Sequence, residues 1–184
     1  MSVLAGPARR LAGRLRARRW AVVHRSVQAG PRASVGRGCR LRLDPGARLV
    51  LGAGCEVDDG VTLAVYGRGR LEIGAGSFVG HHATLAAHEL VELGPGCYLA
   101  ELVSVRDHDH AVGRAPGSGQ VDVSAVRIGA RCWLGAKVTV VRGAHVGEGT
   151  VVGAHAVVRG TLPAGVVAAG IPATVVRTIE STTA

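Results

Sequence analysis

The sequence predicts an all-β protein: a parallel β-helix of hexapeptide repeats, preceded by an amphipathic helix and interrupted by one protruding loop. Two observations carry this. Aliphatic residues recur at every sixth position at Ile128, Leu134, Val140, Val146, Val152 and Val158. A compact residue follows four positions after each of the first five: Cys132, Val138, Ala144, Thr150 and Ala156. A period of six fits neither a continuous helix, near 3.6, nor a continuous strand, at 2. It fits a short strand, a tight corner and another short strand, repeated. Three hexads close one triangular coil, so residues 18 apart should stack about 4.8 Å from each other. Aromatic residues make up 3% of the chain, so Val, Leu, Ile and Ala must build the core.

Residues 1–34 read as a basic arm. Within it, residues 3–24 have the pattern of an amphipathic helix. Val3, Leu4, Leu11, Leu15, Val22 and Val23 are apolar, and Arg9, Arg10, Arg14, Arg16, Arg18 and Arg19 crowd the rest. Two roles stand side by side and do not exclude each other. The helix caps the open end of the β-helix, or it lies on a membrane with Trp20 at the interface.

The β-helix domain is expected over residues 35–179, with a tail at 180–184. Its first coils are ragged: Val35, Leu41, Leu43, Leu49, Leu51, Val57 and Leu63. Tyr66-Gly67-Arg68-Gly69-Arg70 reads as a corner insertion. The period resumes at Ile73, Val79 and Leu85, then at Leu93, Leu99 and Val105. Residues 106–127 lack it and contain Gly113, Pro116, Gly117 and Gly119, which marks the protruding loop. After the strict run, Thr161-Leu162-Pro163 is expected to end the coil. The stretch from Val166 to Ala173 should turn away, and Val175-Val176-Arg177 reads as a last strand.

The net charge of +9 is uneven. Residues 1–40 hold ten arginines and no acid, so the remainder is close to neutral. The basic arm is either a solvated extension or a contact for an anionic surface. Nucleic acid is not the expected partner, because aromatic stacking platforms are scarce. Cys39, Cys55, Cys97 and Cys132 each lie four residues after an aliphatic: Val35, Leu51, Leu93 and Ile128. That is the interior position, so they should pack as small hydrophobes, as free thiols rather than metal ligands. No apolar run reaches the length of a membrane span, and the arginine-rich start does not resemble a secretory signal. The expected location is the cytoplasm, with peripheral contact at the inner face of the membrane.

Candidate chemistry sits where the loop opens, at Asp107-His108-Asp109-His110. A histidine beside a carboxylate is a usable general base, since the carboxylate fixes the tautomer and stabilises the imidazolium. His88 lies three residues after Leu85, and His108 three after Val105. If those coils stack, the two rings should approach each other.

These hexads, the Asp-His-Asp-His loop, Ile128-Gly-Ala-Arg-Cys-Trp-Leu-Gly-Ala and Val167-Ala-Ala-Gly-Ile-Pro-Ala together resemble the hexapeptide-repeat acyltransferases. The resemblance is closest to the galactoside, maltose and xenobiotic O-acetyltransferase type and its polysaccharide-modifying branch. It implies a left-handed β-helix, a homotrimer with sites between subunits, and acetyl-CoA or another acyl-CoA as co-substrate. It also implies His108 as catalytic base and the backbone N–H of Ala136 as oxyanion donor. Trp133 would wall the site. Gly135, Ala136, Gly153 and Ala154 would form a groove for the pantetheine arm, with Ala136 and Ala154 stacked. Arg159 and Arg177 fall where the family places groups near the nucleotide phosphates. Asp107, His110, His81, His82, His88 and Trp133 are the candidates for substrate contact. Where galactoside-type members carry a sugar-binding asparagine, this chain reads Val79-Gly80-His81-His82. His81, His82 or neither takes that role.

The expected acceptor is a hydroxyl of a sugar, glycan or glycolipid, including a lipid-linked intermediate. Two other classes compete. One is a γ-carbonic-anhydrase-like metal enzyme, whose His-x4-His spacing is missing. The other is a non-catalytic, membrane-associated β-helix scaffold.

Overall fold

The computed structural model describes residues 7–111 and 120–180. The chain winds into a three-sided prism of parallel strands. The first face stacks Val27–Ala29, Arg48–Leu51, Arg70–Ile73, Leu90–Leu93, Val126–Ile128, His145–Val146 and Thr161–Leu162. The second stacks Ser34–Val35, Glu56–Val57, Phe78–Val79, Tyr98–Leu99, Trp133–Leu134, Val151–Val152 and Val166–Gly170. The third stacks Arg40–Leu43, Thr62–Val65, Thr84–Ala87, Ser104–Arg106, Thr139–Val140 and Val157–Val158.

The hexad pattern is the inside of this prism. Each aliphatic from Ile128 to Val158, and each compact residue four positions on, is buried. Thr150 is the polar member of that series, and its hydroxyl donates to the Pro163 carbonyl at 2.7 Å. Cys55, Cys97 and Cys132 are buried, Cys39 is half-buried, and all four thiols are free.

The spacing of 18 holds in the strict run, where Ile128 pairs with Val146, Leu134 with Val152 and Val140 with Val158. It does not hold earlier. Leu41, Leu63 and Leu85 are in register at intervals of 22, because the corners after Leu43 and Val65 are longer. Long corners also hide the start of the prism. Val27–Ala29 already pairs with Leu49–Leu51, so the coil begins before Val35. At the far end, Val166–Gly170 continues the second face instead of turning away. Ala173–Thr178 then returns antiparallel to it.

The N-terminal helix, Pro7–Val23, lies across the first coil. Its inner face is made of small residues: Gly13 and Ala17 are buried, and Ala21 packs on the core beside Trp20. A Cβ on Gly13 would lie 3.1 Å from the Cβ of Ser34, so any larger residue would push the helix and Ser34 apart by a few tenths of an ångström. Arginines act as tethers. Arg9 donates to Asp58 and Asp59 at 3.2 and 2.6 Å, and Arg16 Nε donates to the Val35 carbonyl at 2.7 Å. Trp20 packs partly buried against the coil. Leu11, Leu15, Val22 and Val23 point outward and are exposed.

The protruding loop leaves and re-enters as an antiparallel pair, His108–His110 with Val121–Val123. Arg142 anchors it through Asp109, at 3.0 Å. The glycines and proline at 113–119 lie outside the described residues.

Candidate active site

The register of the third face builds the first half of the site. Leu85 pairs with Val105, so the residues just past the two strands meet at the edge between the third and first faces. The rings of His88 and His108 contact edge to face, with centroids 4.3 Å apart. Tyr66, one coil earlier, stacks on His88 at 4.5 Å and meets His108 edge-on at 5.7 Å. The Arg42 guanidinium covers the outer side of the Tyr66 ring, 4.7 Å from its centroid. Tyr66 escapes the sequence reading, although it lies three residues after Leu63 as His88 lies three after Leu85.

Asp107 organises this edge from inside. The sequence reading places it against substrate, but the structure buries it completely, with 0% exposure. Its carboxylate accepts the backbone N–H groups of His88, Glu89 and Leu90 at 2.7–3.0 Å. Its Oδ1 also lies 3.0 Å from His108 Nδ1. A carboxylate partner assigns the proton to Nδ1, which leaves Nε2 as the basic nitrogen. Asp107 therefore positions His108 rather than touching a ligand. Burial, and then repulsion by His108, hold His88 below the ordinary imidazole range, against the pull of Asp107 and Asp44.

The second half lies on another edge. Ala136 and Ala154 stack at the corner between the second and third faces, where His155 N–H donates to the Ala136 carbonyl at 2.9 Å. The N–H groups of Gly135 and Lys137 donate to Val152 and Glu101, whereas that of Ala136 has no backbone acceptor among the described residues. Gly135 is a close-approach glycine, since a Cβ there would lie 2.7 Å from Ala154 N. Trp133 stands on the adjoining second face, 54% exposed. Its register partner Tyr98 stacks on Phe78 at 4.8 Å.

That aromatic pair floors a cleft of about 290 Å³ between the N-terminal helix and the second face. Arg9, Asp58, His81 and Glu101 line it. His81 Nε2 lies 3.0 Å from Asp58 Oδ2. His82 is exposed at the same corner, with its ring filling the space over Gly60. His110 is exposed and pairs with Val121 in the loop. Arg159 follows the third face, whereas Arg177 sits on the returning strand of the second, so one chain does not bring them together.

Nor does one chain join His108 to Ala136. The third face separates their edges, on the order of 15 Å for a side of five or six residues. Among the described residues, no group of three His, Cys, Asp or Glu side chains is arranged to hold a metal ion within the chain.

The chain has the fold of a left-handed parallel β-helix wound from six-residue repeats. Residues 125–160 match the bacterial transferase hexapeptide (six repeats) family. Over 128 residues the chain is 35% identical to a putative lipopolysaccharide biosynthesis O-acetyl transferase, WbbJ, of Escherichia coli. That match covers 64% of this chain and 65% of the relative. A probable acetyltransferase of Mycobacterium tuberculosis is 33% identical over 147 residues, covering 78% of this chain and 49% of the relative. The chain thus spans about half to two thirds of these relatives. Among solved structures, an N-acyltransferase from Bacillus cereus in complex with dTDP and 3-hydroxybutyryl-CoA superposes with a TM-score of 0.74. It is 15% identical, and 88% of each chain is covered, a likeness of fold.

Proposed function

We propose that the protein is a CoA-dependent O-acyltransferase that moves an acetyl group from acetyl-CoA to a hydroxyl of a sugar, glycan or lipid-linked glycan. The observation that carries this reading is the buried Asp107 carboxylate holding Nδ1 of His108. It leaves Nε2 of a half-buried imidazole as a base of fixed tautomer.

In this reading Nε2 of His108 takes the proton of the acceptor hydroxyl as that oxygen bonds to the thioester carbonyl carbon. The N–H of Ala136 donates to the oxyanion that forms, and needs no reorganisation to do so. The carbon–sulfur bond then breaks, and the imidazolium returns its proton to the CoA thiolate. Gly135, Gly153 and Ala154 leave the pantetheine path free of side chains. Arg159 and Arg177 face the nucleotide phosphates.

Because His108 and Ala136 lie on different edges, the site needs two copies, which supports a homotrimer with shared sites. The acceptor lies in the cleft floored by Phe78 and Tyr98, on the face that also carries Trp133. The apolar patch of this stacked pair, beside the polar groups of His81, Asp58 and Glu101, suits a sugar ring with one apolar face and a hydroxylated rim. The protein acts in the cytoplasm, with its basic arm toward the inner membrane face.

The test is release of free CoA from acetyl-CoA with a panel of glycan acceptors. His108→Ala should reduce transfer by about 10²–10⁴-fold while acetyl-CoA still binds. Undiminished transfer by that variant would end the proposal.

A further inference from the structure

The N-terminal helix has two faces that do different things. Gly13, Ala17, Trp20 and Ala21 pack on the first coil, and Arg9, Arg10 and Arg16 pair with it. The opposite face carries Leu11 and Leu15, each 58% exposed, and Val22, 82% exposed. Their spacing of i, i+4 and i+11 puts them on one stripe. Ala8 and Ala12 extend it. Exposed Arg18 and Arg19 flank it on either side, and neither forms an ion pair among the described residues. Residues 1–40 contain no acid to neutralise them.

From this we infer that the outer face of the helix docks on an anionic phospholipid surface. The narrow apolar stripe offers leucines to enter the acyl boundary, and the guanidinium groups beside it meet the phosphates. Charge complementarity selects this occupant. A second copy of the chain would set Arg18 and Arg19 against the same arginines, a like-charge contact.

The stripe is not required for folding, because the inner face already attaches the helix through burial and three arginine contacts. The same helix walls the proposed acceptor cleft, through Arg9, Arg10 and Gly13. Seated on a bilayer, it would hold that cleft at the level of the headgroups, where a lipid-linked glycan presents its sugars. That last step rests on the acyltransfer reading; the docking itself does not.

The experiment is co-sedimentation of the full chain with vesicles of phosphatidylcholine alone and with phosphatidylglycerol added, in the absence of acyl-CoA and acceptor. The wild type should pellet with the anionic vesicles and stay in solution with the neutral ones. Leu11→Glu/Leu15→Glu should weaken pelleting by about tenfold or more, with its thermal melt unchanged. Arg18→Glu/Arg19→Glu should do the same and lose the dependence on salt. Equal pelleting of wild type and the leucine double variant would overturn the inference. So would self-association of the wild type that the leucine variant abolishes, without vesicle binding, since the stripe would then belong to a second copy.

Discussion

Asp107 Oδ1 lies 3.0 Å from His108 Nδ1, and the same carboxylate accepts three consecutive backbone N–H groups from the corner His88–Leu90. One buried group thus fixes both the turn and the tautomer of the candidate base. Asp107→Asn exposes the coupling. Its amide offers one acceptor oxygen and points N–H groups at N–H donors, leaving buried donors unpaired at roughly 1–3 kcal/mol each. The melting temperature should fall by several degrees, and turnover should fall with it. Asp107→Ala should do both. If either variant left the melt unchanged, the carboxylate would not be the cap of that corner.

The stacked rings give a pH signature. Burial and the neighbouring imidazole lower the pKa of His88, so the folded state resists its protonation. The stability this confers is complete above the ordinary imidazole range, near 6.5, and is lost as pH falls through the lowered folded value. Denaturant midpoints measured from pH 8 downward should decline below about 6.5. His88→Phe, which keeps a ring in the stack, should flatten part of that decline. Titration of His88 by NMR at or above 6.5 would contradict the lowered value.

Tyr66 shows why part of this site was readable and part was not. His88 and His108 could be paired from sequence because each follows an aliphatic of a recognisable hexad by three residues. Tyr66 follows Leu63 by the same three, but its coil is 22 residues long, and a search at 18 slides past it. The same long corners concealed the start of the prism at Val27. The helix was legible as a helix, yet its packing face was not. Glycine and alanine carry little hydrophobic signal, and what recommends Gly13 and Ala17 is close approach. The division of the site between two edges follows from which corner each residue occupies, and that needed the register. Tyr66→Ala should remove the stack and lower stability by roughly 1–2 kcal/mol, whereas Tyr66→Phe should be nearly neutral. A melt of Tyr66→Ala matching the wild type would show that the column holds without its first ring.

Gly135 lets packing and the proposed acyl-CoA groove be tested together. A methyl group at this position meets Ala154 N at 2.7 Å, so the two coils must part by several tenths of an ångström. Overpacking of this kind costs about 1–3 kcal/mol. The same corner carries the N–H of Ala136, which has no backbone acceptor among the described residues. Gly135→Ala should therefore lose stability and bind acyl-CoA more weakly, while Ala154→Gly should leave the melt within about 1 kcal/mol. Tight acyl-CoA binding by Gly135→Ala would place the thioester on another edge.

The interior cysteines offer a test of the prism itself that needs no substrate. Burial pushes the Cys55 thiol from the usual value near 9 up to about 12, and the neighbouring Cys97 thiol, then burial, raise Cys132 as well. A thiol whose folded pKa is raised favours the folded state at low pH. Its contribution is complete below about pH 9 and is lost as pH rises toward about 12. A disulfide reagent must reach the sulfur to react, so at pH 8 it should label Cys39 alone among the four, because Cys39 is only half-buried. Full labelling should require unfolding. Cys55→Ala should remove part of the alkaline loss of stability, at the cost of a small cavity beside Leu51 and Val57. Rapid labelling of all four thiols at pH 8 in the folded protein would mean that the hexad interior is open to solvent, and the stacked coils could not be wound as described.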